Sequence, residues 1–238
     1  MTWHCKPSGG YALTSQDATD NMNEYYAYFS GSTTKNNVVG QLCNVYAESG
    51  LNPWRWQGDS VTTSGGYGLY QFTPASGYLN LTGIPGHSPN MSTSSVSGGS
   101  ETDATAQMYV FLNNTLGKWH SSCWRSYWSR FSYPYLWDLH NHILNTYGNG
   151  SNITLSQFLS IDDVSDACFC FLACFEGPAV PNFETRMSYA QTISDAIGGG
   201  PIPPTPPTPP TPGGLDLVYM ACGKKKKQSW NFRGALWK

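Results

Sequence analysis

The sequence predicts a mainly α-helical domain with a small β or loop insertion, followed by a polyproline linker and a short basic tail. Three observations carry this. Apolar residues recur at helical spacing through most of the chain before residue 197. The stretch 54–86 breaks that spacing with Gly, Ser and Thr and short patches of Trp, Tyr and Phe. Residues 201–212 read Pro-Ile-Pro-Pro-Thr-Pro-Pro-Thr-Pro-Pro-Thr-Pro, where missing N–H groups and fixed φ exclude both helix and central strand.

The elements follow in order. Thr14 is placed to cap a helix over about Ser15–Phe29, with Asp17 and Asp20 in its first turns, where the helix dipole favours them. Gly31 is expected to stop it. A second helix is predicted over about Asn36–Ala47, with Val38, Val39, Leu42, Val45 and Tyr46 at helical spacing; Ser49-Gly50 and Asn52-Pro53 end it. Loops and a small hairpin are expected over 54–86, and a polar loop over 87–100. Ser100 with Asp103 reads as a cap for a helix over about Glu101–Leu116. Trp119–Trp137 is an irregular aromatic stretch. Helices then follow near 134–147, 154–160, 162–175 and 182–197. The linker, with glycines on either side, spans 198–214; its proline tract suits polyproline II, a stiff spacer of roughly 37 Å at about 3.1 Å per residue. Residues 215–238 end in a basic, aromatic segment around Lys224–Lys227.

Composition narrows the function. The 238 residues are 39% apolar and 14% aromatic, too rich in core-forming side chains for a disordered chain. Residues 1–197 hold seven basic against fourteen acidic side chains, net −7, and residues 198–238 net +5. So acidic a body is a poor nucleic-acid binder, and no nucleic-acid partner is expected. The longest apolar run, Cys168–Phe175, is far short of a membrane span, and Met1–Pro7 carries no signal-peptide pattern. The five histidines form no His-Glu-x-x-His motif, and there is no Gly-x-Ser-x-Gly elbow and no dinucleotide fingerprint. The seven cysteines form no Cys-x-x-Cys pair; Cys170 and Cys174 share a helical face and read as small core hydrophobes. No cofactor and no metal are expected.

The chemistry concentrates in residues 44–74. Glu48 follows an apolar helix face and precedes Ser49-Gly50, small residues that let other backbone come close. Low dielectric and the negative helix end both disfavour a charged carboxylate there, which is what a general acid needs. The plain alternative is a terminal Glu facing solvent. Eighteen residues after Glu48 begins Gly66-Tyr67-Gly68-Leu69-Tyr70-Gln71-Phe72-Thr73-Pro74.

The pattern Asn-x-x-x-Glu-Ser-Gly-Leu-Asn-Pro, then Gly-Tyr-Gly-Leu-x-Gln-Phe-Thr-Pro, resembles the lysozyme-type domains of bacteriophage tail proteins, above all those on the tail knobs of short-tailed phages. That family belongs to the lysozyme and lytic transglycosylase superfamily. Gly10–Ala18, Trp54–Gln57, Phe171–Ala173, Phe175–Pro178 and Arg186 with Tyr189-Ala190 extend the likeness over about residues 8–197. The resemblance implies an α+β lysozyme-like catalytic domain over 1–197 that binds bacterial peptidoglycan in a cleft. It implies cleavage of the β-1,4 bond between N-acetylmuramic acid and N-acetylglucosamine. Glu48 matches the catalytic acid; Gln71, with the Gly68-Leu69 backbone, matches the cleft floor. Tyr67 and Tyr70 either stack on sugars or pack in the core.

A glycosidase pair needs a second carboxylate about 5–5.5 Å away for retention or about 6.5–9.5 Å for inversion. Asp59, eleven residues after Glu48, is the sequence candidate, and Gly-Asp-Ser is also ordinary turn sequence. Glu176 is another acidic candidate, but its place in a closing helix motif suggests structure or cleft wall. Without a partner, a transglycosylase route fits better. The class expected is a muramidase or lytic transglycosylase acting from the virion at the bacterial wall, with other tail proteins as partners. The alternatives are a free endolysin or an inactive tail-tip component. Lys224–Lys227 is either a solvated turn or a contact to anionic wall polymer or membrane. An open cleft at Glu48 favours an enzyme; a carboxyl packed into solid core excludes one.

Overall fold

One helix, α2 (Lys35–Ser49), organises the molecule. The computed structural model describes residues 3–5, 13–59, 62, 64–87 and 101–197, with the side chains of 59, 101 and 102 left aside. Ten of the fifteen residues of α2 are buried, so it lies inside rather than on the surface. Thr34 caps it by accepting from Asn37 N–H, and Gly50, in the left-handed region, closes it. Around it pack α1 (Ser15–Phe29), α7 (Val164–Phe171), α8 (Phe183–Met187) and α9 (Ala190–Ala196). The other helices are α3 (Ala75–Leu79), α4 (Glu101–Leu112), α5 (Pro134–Thr146) and α6 (Leu155–Phe158).

Gly40 sets the closest approach. A Cβ there would lie 2.6 Å from the backbone N of Cys168 and 2.7 Å from Ala167 Cβ. Only hydrogen at that position lets α2 and α7 come together. Aromatic rings fill the space beside this pair: Tyr25, Phe29, Tyr70, Phe111, Phe171 and Phe175 contact one another at centroid distances of 4.7–6.5 Å. Their polar ends are satisfied inside the core: Tyr25 Oη donates to Gln41 Oε1 at 2.8 Å and meets Tyr70 Oη at 3.0 Å.

The α1 boundaries match the expectation, and Thr14 with Asp17 forms a reciprocal capping box. The helix ends at Ser30 rather than at Gly31. Other expectations are corrected. The hairpin over 54–86 reduces to two isolated antiparallel bridges, Trp56 with Tyr67 and Tyr67 with Phe72, and no strand forms among the described residues. Gly68 and Gln71, both at positive φ, turn the chain back before a ladder can extend. The third helix stops at Leu112, because Asn114 turns into the left-handed region just after it. The Asp103 carboxylate points inward and accepts from Tyr67 Oη, Tyr78 Oη and Gln107 Nε2 at 2.6–2.9 Å; the cap expected of Ser100 with Asp103 falls outside the described residues. Ser100, the linker, the tail and Lys224–Lys227 lie outside the described residues. After α7 the chain widens into a π-helical turn, Leu172–Glu176, closed by Gly177 N–H donating to Leu172 O at 2.8 Å. The last predicted helix is two, α8 and α9, broken at Ser188-Tyr189.

Candidate active site

Glu48 stands on the last turn of α2, and its support is built from both ends of the chain. Asn44 lies one turn earlier, so both side chains look toward α8. From α8, Arg186 reaches across with its guanidinium. Nη2 donates to Glu48 Oε1 at 2.6 Å, Nη1 to Asn44 O and Oδ1 at 3.4 and 3.3 Å, and Nε to Pro181 O at 3.3 Å. Asn44 Nδ2 in turn donates to Cys168 O on α7 at 3.0 Å. Arg186 is buried, while the Glu48 side chain keeps 22% of its surface exposed. The expected low dielectric and negative helix end are thus joined by an opposing influence the sequence reading did not include: the carboxyl's hydrogen-bond partner is a buried cation.

The exposed part of Glu48 belongs to an open pocket of about 230 Å³. Thr14 and Ala18 of α1, Tyr46 and Glu48 of α2, Gly50 and Arg55 line it. Glu48 is thus not packed into solid core. Its flanking residues explain the opening. Ser49 turns inward and donates to Val45 O at 2.9 Å. Gly50 (φ 60°) and Leu51 (φ 64°) then carry the chain away from the helix axis in two left-handed steps. Asn21 of α1 holds this turn by donating to Leu51 O at 2.9 Å.

The second motif reaches the same place through backbone. Arg55 O accepts from Gly68 N–H at 2.8 Å and from Gln71 Nε2 at 3.3 Å, and Gln71 Nε2 also donates to Gly68 O at 3.0 Å. Gln71 is partly exposed, and its side chain braces the segment that carries Arg55 to the pocket. Gly68 (φ 79°) is required: a Cβ there would lie 2.2 Å from Gln107 Oε1, the atom that accepts Leu69 N–H at 2.6 Å. Tyr67, Gly68, Leu69 and Tyr70 are all buried. For Tyr67 and Tyr70 this corrects sugar stacking to core packing, since neither ring has an open face. Asp59 ends a 3-10 turn, Gln57–Asp59, and its side chain lies outside the described residues.

Glu176, read from sequence as cleft wall, has a more pointed environment. It ends the π-helical turn, and its Oε1 is buried with no hydrogen-bond partner among the described residues. Burial first, then the negative charge of Glu48, pushes its carboxyl well above the usual carboxylate range; Arg186, Lys118 and Arg125 pull the other way. The turn that presents it is stitched to the aromatic stretch 119–137. Arg125 Nε donates to Ala173 O at 2.7 Å and its Nη2 to Phe175 O at 3.1 Å. Trp128 Nε1 donates to Pro178 O at 2.8 Å, and Tyr127 Oη to Gly177 O. The sequence held one signal for Arg186 and Arg125: cations are scarce in an acidic body, so buried ones have a fixed task.

Comparison with known proteins meets this geometry. One curated protein, "Morphogenesis protein 1" of Bacillus phage B103, is 30% identical over 160 residues. The match takes in 66% of this chain and 33% of the relative, so the chain spans about one third of that protein's length. The phage tail lysozyme family model matches residues 20–197, a segment that contains Glu48, Asn44, Gln71, Glu176 and Arg186 together. By that match, covering most of its length, the chain belongs to the phage tail lysozyme family.

Proposed function

We propose that this chain is a tail-associated lysin that opens peptidoglycan locally, cleaving the β-1,4 bond between N-acetylmuramic acid and N-acetylglucosamine. The observation that carries this is Glu48: a carboxyl gripped on one oxygen by buried Arg186 and exposed at the wall of an open pocket. Glu48 acts as general acid. It gives its proton to the glycosidic oxygen as the C1–O bond breaks, and the amino-sugar 4-hydroxyl leaves. Water then adds to C1 and yields a reducing muramic end, or the muramyl 6-hydroxyl closes onto C1 and yields the anhydro form, lighter by one water. Family membership supports peptidoglycan as the substrate. The name of the B103 relative favours action from the virion tail over release as a free endolysin.

Two carboxyls are available as partner. Asp59 is the choice from chain position. Glu176 is favoured by its orphaned, buried Oε1 and by the mutual influence of its charge and that of Glu48. The aromatic motif residues hold the pocket's backbone, and Gln71 steadies Arg55 at its rim. Residues 1–197 constitute the catalytic domain, 198–214 a spacer and 215–238 a tail that contacts anionic wall polymer or another tail protein.

Digestion of purified peptidoglycan, with mass spectrometry of the fragments, tests the activity. Muropeptides ending in reducing muramic acid are expected for a hydrolase and anhydro ends for a transglycosylase. Intact glycan strands on walls of several chemotypes would refute both.

A further inference from the structure

Three cysteines from two parts of the sequence meet in the core. Cys123 comes from the aromatic loop, Cys170 from α7 and Cys174 from the π-helical turn, and all three are fully buried. Their Sγ atoms lie within 4.8 Å of one another, and Cys170 and Cys174 are 3.8 Å apart. A tetrahedral zinc with Zn–S bonds of about 2.3 Å sets its sulfurs about 3.8 Å apart. His140 of α5, also buried, packs against Trp124 and Trp137 at centroid distances of 5.5 and 4.7 Å, outside the group of three sulfurs.

We infer that Cys123, Cys170 and Cys174 form a structural zinc site. Three soft thiolates are a donor set that selects zinc over calcium, magnesium or manganese. Full burial of all three sulfurs marks a structural rather than a catalytic ion. Backbone details agree. Cys123 adopts φ 52°, a left-handed conformation that costs a non-glycine residue energy and here turns it into the cluster. The Cys170–Cys174 spacing of four stacks two sulfurs on one helical face. Three thiolates with a divalent ion leave one net negative charge, and Arg125, whose charge acts on Cys123 and Cys174, is there to balance it.

The consequence is mechanical. The stretch 119–133 has no regular structure, and its anchors are Arg125, Tyr127, Trp128 and Cys123. A metal would bind that stretch to α7 and to the turn that presents Glu176. Because the site forms only in the folded chain, binding energy adds directly to stability.

The test is the metal content of the full chain, expressed with zinc in the medium, after dialysis against metal-free buffer. One zinc per chain is expected. Cobalt exchanged into the site should give thiolate charge-transfer absorption and the strong visible bands of a tetrahedral ion. A strong chelator should lower the unfolding midpoint. Cys5→Ser should keep full zinc content. Cys123→Ser should lose zinc at a chelator concentration that the native chain withstands. A natively folded chain without zinc that takes none up on titration would overturn the inference. So would a Cys170–Cys174 disulfide found by mass spectrometry of the freshly purified chain.

Discussion

Arg186 makes four hydrogen bonds with one side chain: three go to Glu48 and Asn44 of α2, and the fourth, to Pro181 O, fixes the arginine's own stem. A lysine would keep the charge but not the fork. Arg186→Met should destabilise the fold by about 3 kcal/mol, since it strands a carboxylate and two Asn44 oxygens, and urea denaturation measures this. The surviving folded fraction should also cleave more slowly, because Glu48 is no longer held. At this scale the sequence was half legible. Asn44 and Glu48 sit four apart on one helix and announce a shared face. Arg186 lies 138 residues beyond Glu48, and no local pattern states which carboxyl a distant arginine meets. Tyr67 and Tyr70 show the converse: an aromatic in a glycine-rich motif reads equally as platform or as packing until burial decides.

The pairing of α2 with α7 depends on a single missing methyl group. Alanine is worth about 1 kcal/mol more than glycine in a helix. At position 40, however, its Cβ would lie 2.6 Å from the backbone of α7, and overpacking of this kind costs about 1–3 kcal/mol. Gly40→Ala should therefore destabilise, and a raised unfolding midpoint would show that α7 yields. Helix boundaries were well legible where chemistry marks them. Thr14 and Gly50 mark their helix ends in the sequence, whereas the cap Thr34 was not read, and α2 runs Lys35–Ser49 against the expected Asn36–Ala47. The π-helical turn after α7 left none, because the same apolar residues fit either winding and only the partners of the freed carbonyls distinguish them. The inward partners of Asp103 were hidden for a related reason: a carboxylate three residues after a serine suggests a cap, while Tyr67 and Tyr78 come from another part of the chain.

The whole molecule divides its charge as it divides its composition. The acidic body carries the pocket, and the basic residues cluster beyond the proline tract. If the tail contacts anionic polymer, replacing Lys224–Lys227 with serine should weaken adsorption to teichoic-acid-bearing walls, at about 1 kcal/mol per lysine near a charged surface. Cleavage of purified, polymer-free peptidoglycan should stay unchanged. Equal adsorption of both chains would assign the lysines to another contact. The mainly helical class was legible from periodicity, the expected hairpin was not because two isolated bridges take its place, and the family was legible from two motifs at their spacing. The meeting of Cys123, Cys170 and Cys174 was not, because it depends on how the loop 119–133 lies over α7.

Glu48 is central to all of this, and one comparison addresses it directly: native chain, Glu48→Gln and Glu176→Gln on the same purified peptidoglycan, each with its unfolding midpoint. Glu48→Gln keeps the shape and the bond to Arg186 but has no proton to give. It should lose cleavage by about a hundredfold or more while its midpoint stays close to native. Glu176→Gln should lower the rate and distinguish a catalytic partner from Asp59. A folded Glu48→Gln chain that cleaves at the native rate would contradict the assignment of the general acid.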